Sequence, residues 1–335
     1  MPVLYLVEQG ATVHKEGDNF LVVKEGVALQ KVPAAKVEQV VVFGNVHLTI
    51  PVLHTLLLQG VDCVFCSSTG RFHGRLLSQE SGFGLLRLAQ LRAVTQEDGK
   101  LSVARAMVRG KLSNQRTLLL RYAREGVGGQ EVRQAVQGLE ELLRDLEHVR
   151  GAARLHGVEG QGSALYYQGF RAVLRQNLGF QRRQRRPPRD PVNSLLSFGY
   201  TLLAYAVQSA VRTVGLDPFL GFLHEVRSSR PSLALDLMEE FRPVIVDSVV
   251  LRVLNTRELT PQDFEEVPEE DGMVRLRPDG MRAFLARYEE RVQGRVLYPP
   301  TGTQETYRRI LELQARHLAR VVLGKDGAYQ PLLVR

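Results

Sequence analysis

The segment Glu131–Arg150 reads EVRQAVQGLEELLRDLEHVR. Its apolar side chains recur at the three- or four-residue spacing of one helix face: Val132, Ala135, Val136, Leu139, Leu142, Leu143, Leu146 and Val149. This pattern predicts an amphipathic helix packed against other helices. The same periodicity predicts helices in four further segments: Lys100–Glu125, Val192–Val214, Ser232–Arg257 and Thr303–Val322.

The chain before this helical region has a different pattern. Short runs rich in β-branched residues alternate with Gly, Asp and Asn, which is typical of strands and turns. The runs are Val3–Val7, Phe20–Val23, Val37–Phe43 and Val61–Phe65, and one helix is predicted at Pro51–Gln59. We therefore predict an α+β protein, with a small β-rich N-terminal domain (residues 1–95) and a larger all-α C-terminal domain (residues 96–335).

Composition narrows the classes of function. The 335 residues carry a formal net charge of +8, which favours a polyanionic partner. No apolar run approaches the roughly 20 residues of a membrane span, and the first residues lack a secretory signal, so we expect a cytoplasmic protein without a membrane partner. Phosphate-binding loops, dinucleotide fingerprints and serine-hydrolase motifs are absent from the sequence. Cys63 and Cys66 are interpreted as space-filling thiols of a buried strand rather than zinc ligands.

Acidic residues cluster in the predicted helix that begins near Ser232. Asp236, Glu239 and Glu240 share a helix face at positions i, i+3 and i+4. Their mutual repulsion would be relieved by a divalent cation, and we expect the three carboxylates to lie together. His224 and Glu159 are further candidates, although their spacing alone does not show that they meet this cluster.

An arginine-rich run, Gln181–Asp190, reads QRRQRRPPRD. Its arginines suit phosphate oxygens, so as a hypothesis we assign them to contacts with a nucleic-acid backbone: Arg182, Arg183, Arg185, Arg186 and Arg189. The alternative is a solvated basic loop. Tyr166 is a candidate for stacking on unpaired bases, although aromatic residues at helical spacing more often belong to a core.

Several motifs, taken in this order, resemble the CRISPR-associated spacer integrase, the endonuclease of the adaptation step and the first of the numbered Cas families. The motifs are Glu159-Gly160-x-x-Ser163-x-x-Tyr166-Tyr167, Arg186-x-Pro188-x-Asp190-Pro191-x-Asn193, His224, and Ser232-Leu233-Ala234-Leu235-Asp236-Leu237-Met238-Glu239-Glu240-Phe241-Arg242. Lys111-x-x-Asn114-Gln115 is similar to that family too. The resemblance covers nearly the whole chain.

The resemblance implies a sandwich-like N-terminal domain that mediates homodimerisation and a helical catalytic domain. It implies that Glu159, His224 and Glu239 bind Mg²⁺ or Mn²⁺, with Asp236 as a supporting catalytic carboxylate. Gly162 and Ser163 replace a pair of alanines common in the family, and both are small enough for close helix packing.

The implied activity is the insertion of a short prespacer duplex into a CRISPR repeat by attack of its 3′-hydroxyl ends on a phosphodiester. Cleavage of branched DNA is the related activity. The implied partner is the second CRISPR-associated protein, in a heterohexameric integration complex. Two alternatives stay open from the sequence: a catalytically silent DNA-binding scaffold, and a transposon-type integrase of the same fold.

Overall fold

The computed structural model describes residues 3–78, 83–185, 187–267 and 272–334. The chain divides into two compact units, Met1–Gly82 and Phe83–Arg335, called here the N-terminal and C-terminal units. The sequence-based division after residue 95 assigned helix α2 (Gly84–Thr95) to the first domain. In the structure the buried Gln90 of α2 donates hydrogen bonds of 2.9 Å to the carbonyls of Asp217 and Leu220. These bonds anchor α2 to the C-terminal unit.

Residues 3–78 of the N-terminal unit form two four-stranded sheets. The strands are β1 (Val3–Leu6), β2 (Thr12–Glu16), β3 (Asn19–Lys24), β4 (Val27–Pro33), β5 (Gln39–Phe43), β6 (His47–Leu48), β7 (Asp62–Cys66) and β8 (Phe72–Leu76), with helix α1 (Ile50–Leu58) between β6 and β7. The sheet orders are β1-β5-β7-β8 and β4-β3-β2-β6. Strand β5 pairs in parallel with β1 and β7.

One hydrophobic core joins the two sheets of the N-terminal unit. It contains Leu6 and Val42 from one sheet, Phe20 and Val22 from the other, and Leu56 from α1. Every residue of β5 is buried, which is typical of a central parallel strand. The predicted sandwich-like architecture is confirmed, and the buried Cys63 and Cys66 lie in β7.

The described residues of the C-terminal unit are mostly helical. Its further helices are α3 (Glu97–Arg124), α4 (Gly129–Asp145), α5 (Ala152–Val173), α6 (Pro191–Val214), α7 (Ser232–Met238), α8 (Ser248–Asn255), α9 (Pro278–Gln293) and α10 (Tyr307–Val322). Among its described residues, two short hairpins lie between helices of this mostly helical unit: β9 (Phe264–Val267) with β10 (Met273–Leu276), and β11 (Arg295–Tyr298) with β12 (Thr303–Thr306).

Helix α4 confirms the amphipathic pattern of Glu131–Arg150. Its apolar residues Val132, Ala135 and Leu139 are buried, while the helix itself ends at Asp145. A short 3₁₀ turn, Leu146–His148, follows. The apolar stripe therefore packs α4 into the helical core, next to α3 and α5.

The predicted continuous helix over Ser232–Arg257 is broken into two. Helix α7 ends at Met238, and a π-helical turn, Pro243–Asp247, precedes α8. Pro243 has no N–H to donate to the preceding turn, which disfavours regular α-helix there. The amide of Asp247 donates instead to the carbonyl of Arg242, five residues back.

Helix α6 is long and apolar enough to span a membrane by length and composition. In the protein, 61% of the apolar 18-residue stretch of this helix is buried. Leu195, Leu196 and Leu203 are completely buried. Packing inside the C-terminal unit accounts for the composition of this helix.

Candidate metal and DNA site

Glu159 and Glu239 lie on either side of one cation, the ammonium group of Lys111. Lys111 projects from α3, Glu159 from α5, and Glu239 directly follows α7. The Lys111 Nζ atom is ion-paired with Oε1 of Glu159 and lies 2.9 Å from Oε2 of Glu239. Helices α5 and α3 pack closely beside this ion pair, because a Cβ atom on Gly162 would lie 2.3 Å from Cδ2 of Leu112. A small residue at position 162 suits this contact.

Glu239 is held as an anion by two basic side chains. Its Oε1 lies 3.1 Å from Nη2 of Arg242, in addition to its contact with Lys111. Although burial raises the pKa of Glu239, Arg242 and Lys111 together lower that pKa to about 2. The carboxylate is therefore ionised at all physiological pH values, as a metal ligand must be.

His224 is fixed by Asp236. The Nδ1 atom of His224 lies 2.6 Å from Oδ1 of Asp236, whose side chain is completely buried. The backbone amides of Phe222, Leu223 and His224 also donate to this carboxylate, at 2.6–2.9 Å. A carboxylate with these donors accepts the Nδ1 proton, which leaves the lone pair of the imidazole on Nε2.

The three carboxylates of the helix that begins at Ser232 do not lie together. Asp236 accepts from the backbone amides of residues 222–224, and Glu239 contacts Lys111 and Arg242. Glu240 accepts instead from Gln314, Tyr329 and the amide of Leu332. The expected single acidic cluster is wrong, because each buried carboxylate has its own donors.

The donor set fits a divalent metal in part. Among the residues that the structure describes, no group of three His, Cys, Asp or Glu side chains lies close enough to hold a metal ion. Two of the three predicted ligands, Glu159 and Glu239, do converge on a single cation, that of Lys111. Two carboxylates and one imidazole suit Mg²⁺ or Mn²⁺, and the convergence on one cation supports such a site.

Tyr166 belongs to a buried network behind this site. Its side chain is fully buried, and its hydroxyl donates to Oδ2 of Asp247 at 2.6 Å. The Tyr200 hydroxyl donates to the other oxygen at 2.5 Å, and the Arg242 guanidinium lies 4.6 Å above the Tyr200 ring. The hypothesis that Tyr166 stacks on DNA is wrong, because its position on the inner face of α5 places it in the core.

A C-terminal strap, defined as residues Tyr329–Val334, packs against the segment that carries Glu239. The amide of Leu332 donates to Oε2 of Glu240 at 2.8 Å. Asn114 donates to the carbonyls of Glu240 and Leu332 and accepts from the amide of Val334. These bonds tie α3, the Glu239–Glu240 pair and the strap into one buried network.

A basic cleft of about 650 Å³ connects the arginine-rich run to this site. Its cationic lining is Lys111, Arg171, Arg182, Arg183, Arg185 and Arg242, and Glu131 is its acidic lining residue. Arg182, Arg185 and Arg189 are exposed. Arg186 lies outside the described residues.

Arg183 differs from its neighbours in this run. It is half-buried and donates to Asn193 Oδ1 at 2.8 Å and to Ser197 Oγ at 3.0 Å. Its guanidinium also lies 5.5 Å from the centre of the Tyr200 ring. Arg183 therefore holds the loop against α6 while lining the cleft.

Sequence reasoning did not assign roles to Lys111, Arg242, Asp247 or the strap. A signal for Lys111 was available, because it follows the buried Met107 and Val108 and precedes the buried Leu112 in α3. A lysine among core positions needs an acidic partner. The identity of that partner could be found only in the tertiary structure.

Comparisons with known proteins agree on one family. The family model described as CRISPR associated protein Cas1 matches residues 4–290. The chain is 40% identical to CRISPR-associated endonuclease Cas1 3 of Thermus thermophilus over 336 aligned positions, which cover 99% of this chain and 97% of that relative.

Solved structures share the fold. A casposase bound to integration product matches with a TM-score of 0.84 at 24% identity, covering 98% of this chain and 93% of that chain. A chain of a Cas6-RT-Cas1–Cas2 complex matches with a TM-score of 0.82 at 23% identity, covering 100% of this chain and 36% of that chain. The family model spans most of the sequence and the Thermus relative matches along 97% of its length, so this chain belongs to the Cas1 family of CRISPR-associated proteins.

Proposed function

We propose that this chain is a metal-dependent DNA endonuclease and integrase of CRISPR adaptation, which inserts prespacer DNA into the CRISPR repeat array. The observation that carries the proposal is the basic cleft, because it leads from the arginine-rich run to Lys111 and Arg242, which both contact Glu239. A polyanionic strand in this cleft would bring a phosphate next to the carboxylates. The endonuclease name of the Thermus relative and the integration product of the casposase support the same reaction class.

The reaction exchanges one phosphodiester for another. The 3′-hydroxyl of the prespacer loses its proton and forms a bond to phosphorus, while the bond to the 3′-oxygen of the repeat strand breaks and that oxygen gains a proton. Cleavage of branched DNA uses water in place of the 3′-hydroxyl. The protein forms no covalent intermediate in either case.

The residues of this chain bind and orient the reacting groups. Glu159, His224 and Glu239 would hold Mg²⁺ or Mn²⁺, which supplies charge stabilisation at the scissile phosphate and the leaving oxygen when bound. Asp236 holds the His224 ring through Nδ1, so that the lone pair of Nε2 is available to bind the metal. Arg242 keeps Glu239 ionised, and the exposed arginines of the cleft neutralise the DNA backbone.

The proposal includes a homodimer that works with the second CRISPR-associated protein in a heterohexameric complex, in the cytoplasm. The Cas1–Cas2 assembly of the structural neighbour supports such a partner. Strand β4 supports an interface in the N-terminal unit, because it is an edge strand with Val27 and Leu29 exposed.

Branched DNA offers a direct test. We expect cleavage and strand transfer with Mn²⁺ or Mg²⁺, no product with chelator, and a loss of at least about a hundredfold in His224→Ala. His148→Ala, at an exposed histidine, is the matched control and should keep parental activity. If the parent binds the DNA but forms no product with either metal and with the partner protein added, the silent-scaffold alternative replaces the proposal. Strand transfer into transposon ends but not into CRISPR repeats would favour the transposon-type integrase, whose fold the casposase shares.

A further inference from the structure

Lys111 is the charged group that Glu159 and Glu239 share. Its side chain is only 5% exposed, and those of Glu159 and Glu239 are 25% and 3% exposed. The two carboxylates come from different helical segments, and the ammonium between them offsets their repulsion. Contact with both carboxylates keeps the Lys111 ammonium charged.

The charges of this group are already balanced. Glu159 and Glu239 contribute two negative charges, and Lys111 and Arg242 contribute two positive charges. A divalent cation on the same carboxylates would add two further positive charges. Coulomb repulsion at such distances in a buried site is strong, so one resident cation has to withdraw.

Lys111 is the resident cation that is able to move. Arg242 is confined, because its guanidinium lies 4.6 Å above the Tyr200 ring and binds Glu239 at the same time. Lys111 carries a point charge on a flexible four-carbon stem. It also lines the basic cleft, as Ser163 and Arg182 do, so the cleft offers its ammonium a solvated position.

We propose that Lys111 is an internal cation that holds Glu159 and Glu239 in position until a divalent metal binds, and that the metal displaces its ammonium into the basic cleft. There the ammonium would meet the phosphate of the bound DNA. This inference rests on the proposed metal dependence of the chain. It makes Lys111 a positioning residue that competes with the metal, rather than one that stabilises the metal-bound site.

If Lys111 competes with the metal, removing its charge should increase the affinity for Mn²⁺. Lys111→Met removes the internal cation and leaves two carboxylates with one arginine. Without added metal we expect the Tm to fall by roughly 5 °C or more, because buried carboxylates lose a partner. Since Mn²⁺ no longer has to displace an ammonium, we expect Mn²⁺ to bind about tenfold tighter. If Lys111 instead stabilised the metal-bound site, Lys111→Met would bind Mn²⁺ more weakly.

Two controls accompany this variant. Arg109→Met changes another basic residue of α3, whose partner Glu147 is exposed, and should leave both the Tm and Mn²⁺ affinity at parental values. Lys111→Arg keeps the charge and should bind Mn²⁺ no tighter than the parent. Mn²⁺ binding is read by electron paramagnetic resonance of free Mn²⁺, and the Tm by calorimetry.

A measurement on the parent keeps the test decisive if Lys111→Met does not fold. An amine-acylating reagent should modify Lys111 severalfold faster with Mn²⁺ than with chelator, while the exposed Lys36 reacts equally in both. Mn²⁺ binding with unchanged reactivity of Lys111, or weaker Mn²⁺ binding by Lys111→Met, overturns the inference and leaves the proposed function standing. If neither the parent nor Lys111→Met binds Mn²⁺, the proposed metal dependence fails and the inference fails with it.

Discussion

The imidazole Nδ1 of His224 lies 2.6 Å from Oδ1 of Asp236, a carboxylate with no exposed surface. Asp236 is one helical turn before Glu239, so a single short segment fixes the histidine through one carboxylate and supplies the other carboxylate to Lys111. The backbone also contributes, because a Cβ atom on Gly221 would lie 2.8 Å from Oδ2 of Asp236. The loop before His224 therefore approaches Asp236 as closely as only glycine allows.

Substitution of Asp236 tests the orientation of His224. Asp236→Asn keeps the shape but removes the charge that accepts the Nδ1 proton. We expect Mn²⁺ affinity to fall by about 10- to 100-fold, the usual effect of losing a group that orients a metal-binding histidine. Titration calorimetry with Mn²⁺ measures this, and unchanged affinity would show that Asp236 does not orient the ring. Asp217→Asn in the same loop region, where Oδ1 caps the amide of Phe219, serves as control.

The buried carboxyl group of Asp247 should make the stability of the protein depend on pH. Burial raises its pKa from 3.8 to about 6, although the hydroxyls of Tyr166 and Tyr200 lower it part of the way. The folded protein therefore binds this proton more tightly than the unfolded chain does. The resulting stability is fully present below about pH 4 and is lost as the pH rises through about 6.

The expected loss is on the order of 3 kcal/mol in the free energy of unfolding, from the size of this pKa difference. Urea denaturation between pH 4 and pH 8 measures it. Asp247→Asn should remove this part of the pH dependence, whereas Asp145→Asn, at an exposed position, should keep it. Parallel curves for the parent and Asp247→Asn would contradict the role of burial.

The arginine-rich run separates into contact and support residues. Arg182 and Arg185 are exposed in the cleft, so Arg182→Ala with Arg185→Ala should reduce the salt slope of DNA affinity by about 2. Arg92→Ala with Arg295→Ala removes the same charge from exposed positions outside this lining and should leave the slope unchanged. Fluorescence anisotropy at several salt concentrations measures both. An equal slope in the parent and the cleft variant would refute phosphate contact by these arginines.

The C-terminal strap should stabilise the protein through its bonds to residues that are distant in sequence. Deletion from Leu332 onward removes the amide that donates to Glu240 and both strap partners of Asn114. Buried polar groups without partners cost about 1–3 kcal/mol each, so the free energy of unfolding should fall by several kcal/mol. Leu333→Ser, at an exposed strap position, should have little effect. Urea denaturation compares the two, and equal stability would mean that water replaces the strap.

Much of the fold follows from local pattern. The β-branched runs of the N-terminal unit and the apolar stripe of α4 predict elements that the structure contains, because burying an apolar face depends on spacing along one segment. The motifs around Glu159 and Glu239 predict the family, which the comparisons confirm. The same local rules failed at Pro243, where a missing amide breaks a helix that the apolar spacing alone would continue.

Local sequence is enough to locate most strands and helices, their buried faces, and the residue types that are available for chemistry. The partners of the polar groups become known only from the folded chain: Lys111 between Glu159 and Glu239, Tyr166 on Asp247, and Leu332 on Glu240. The difference arises from distance along the chain. Apolar burial needs only a suitable face, whereas a buried charge needs one particular donor or counter-charge, and packing brings that donor from a remote segment.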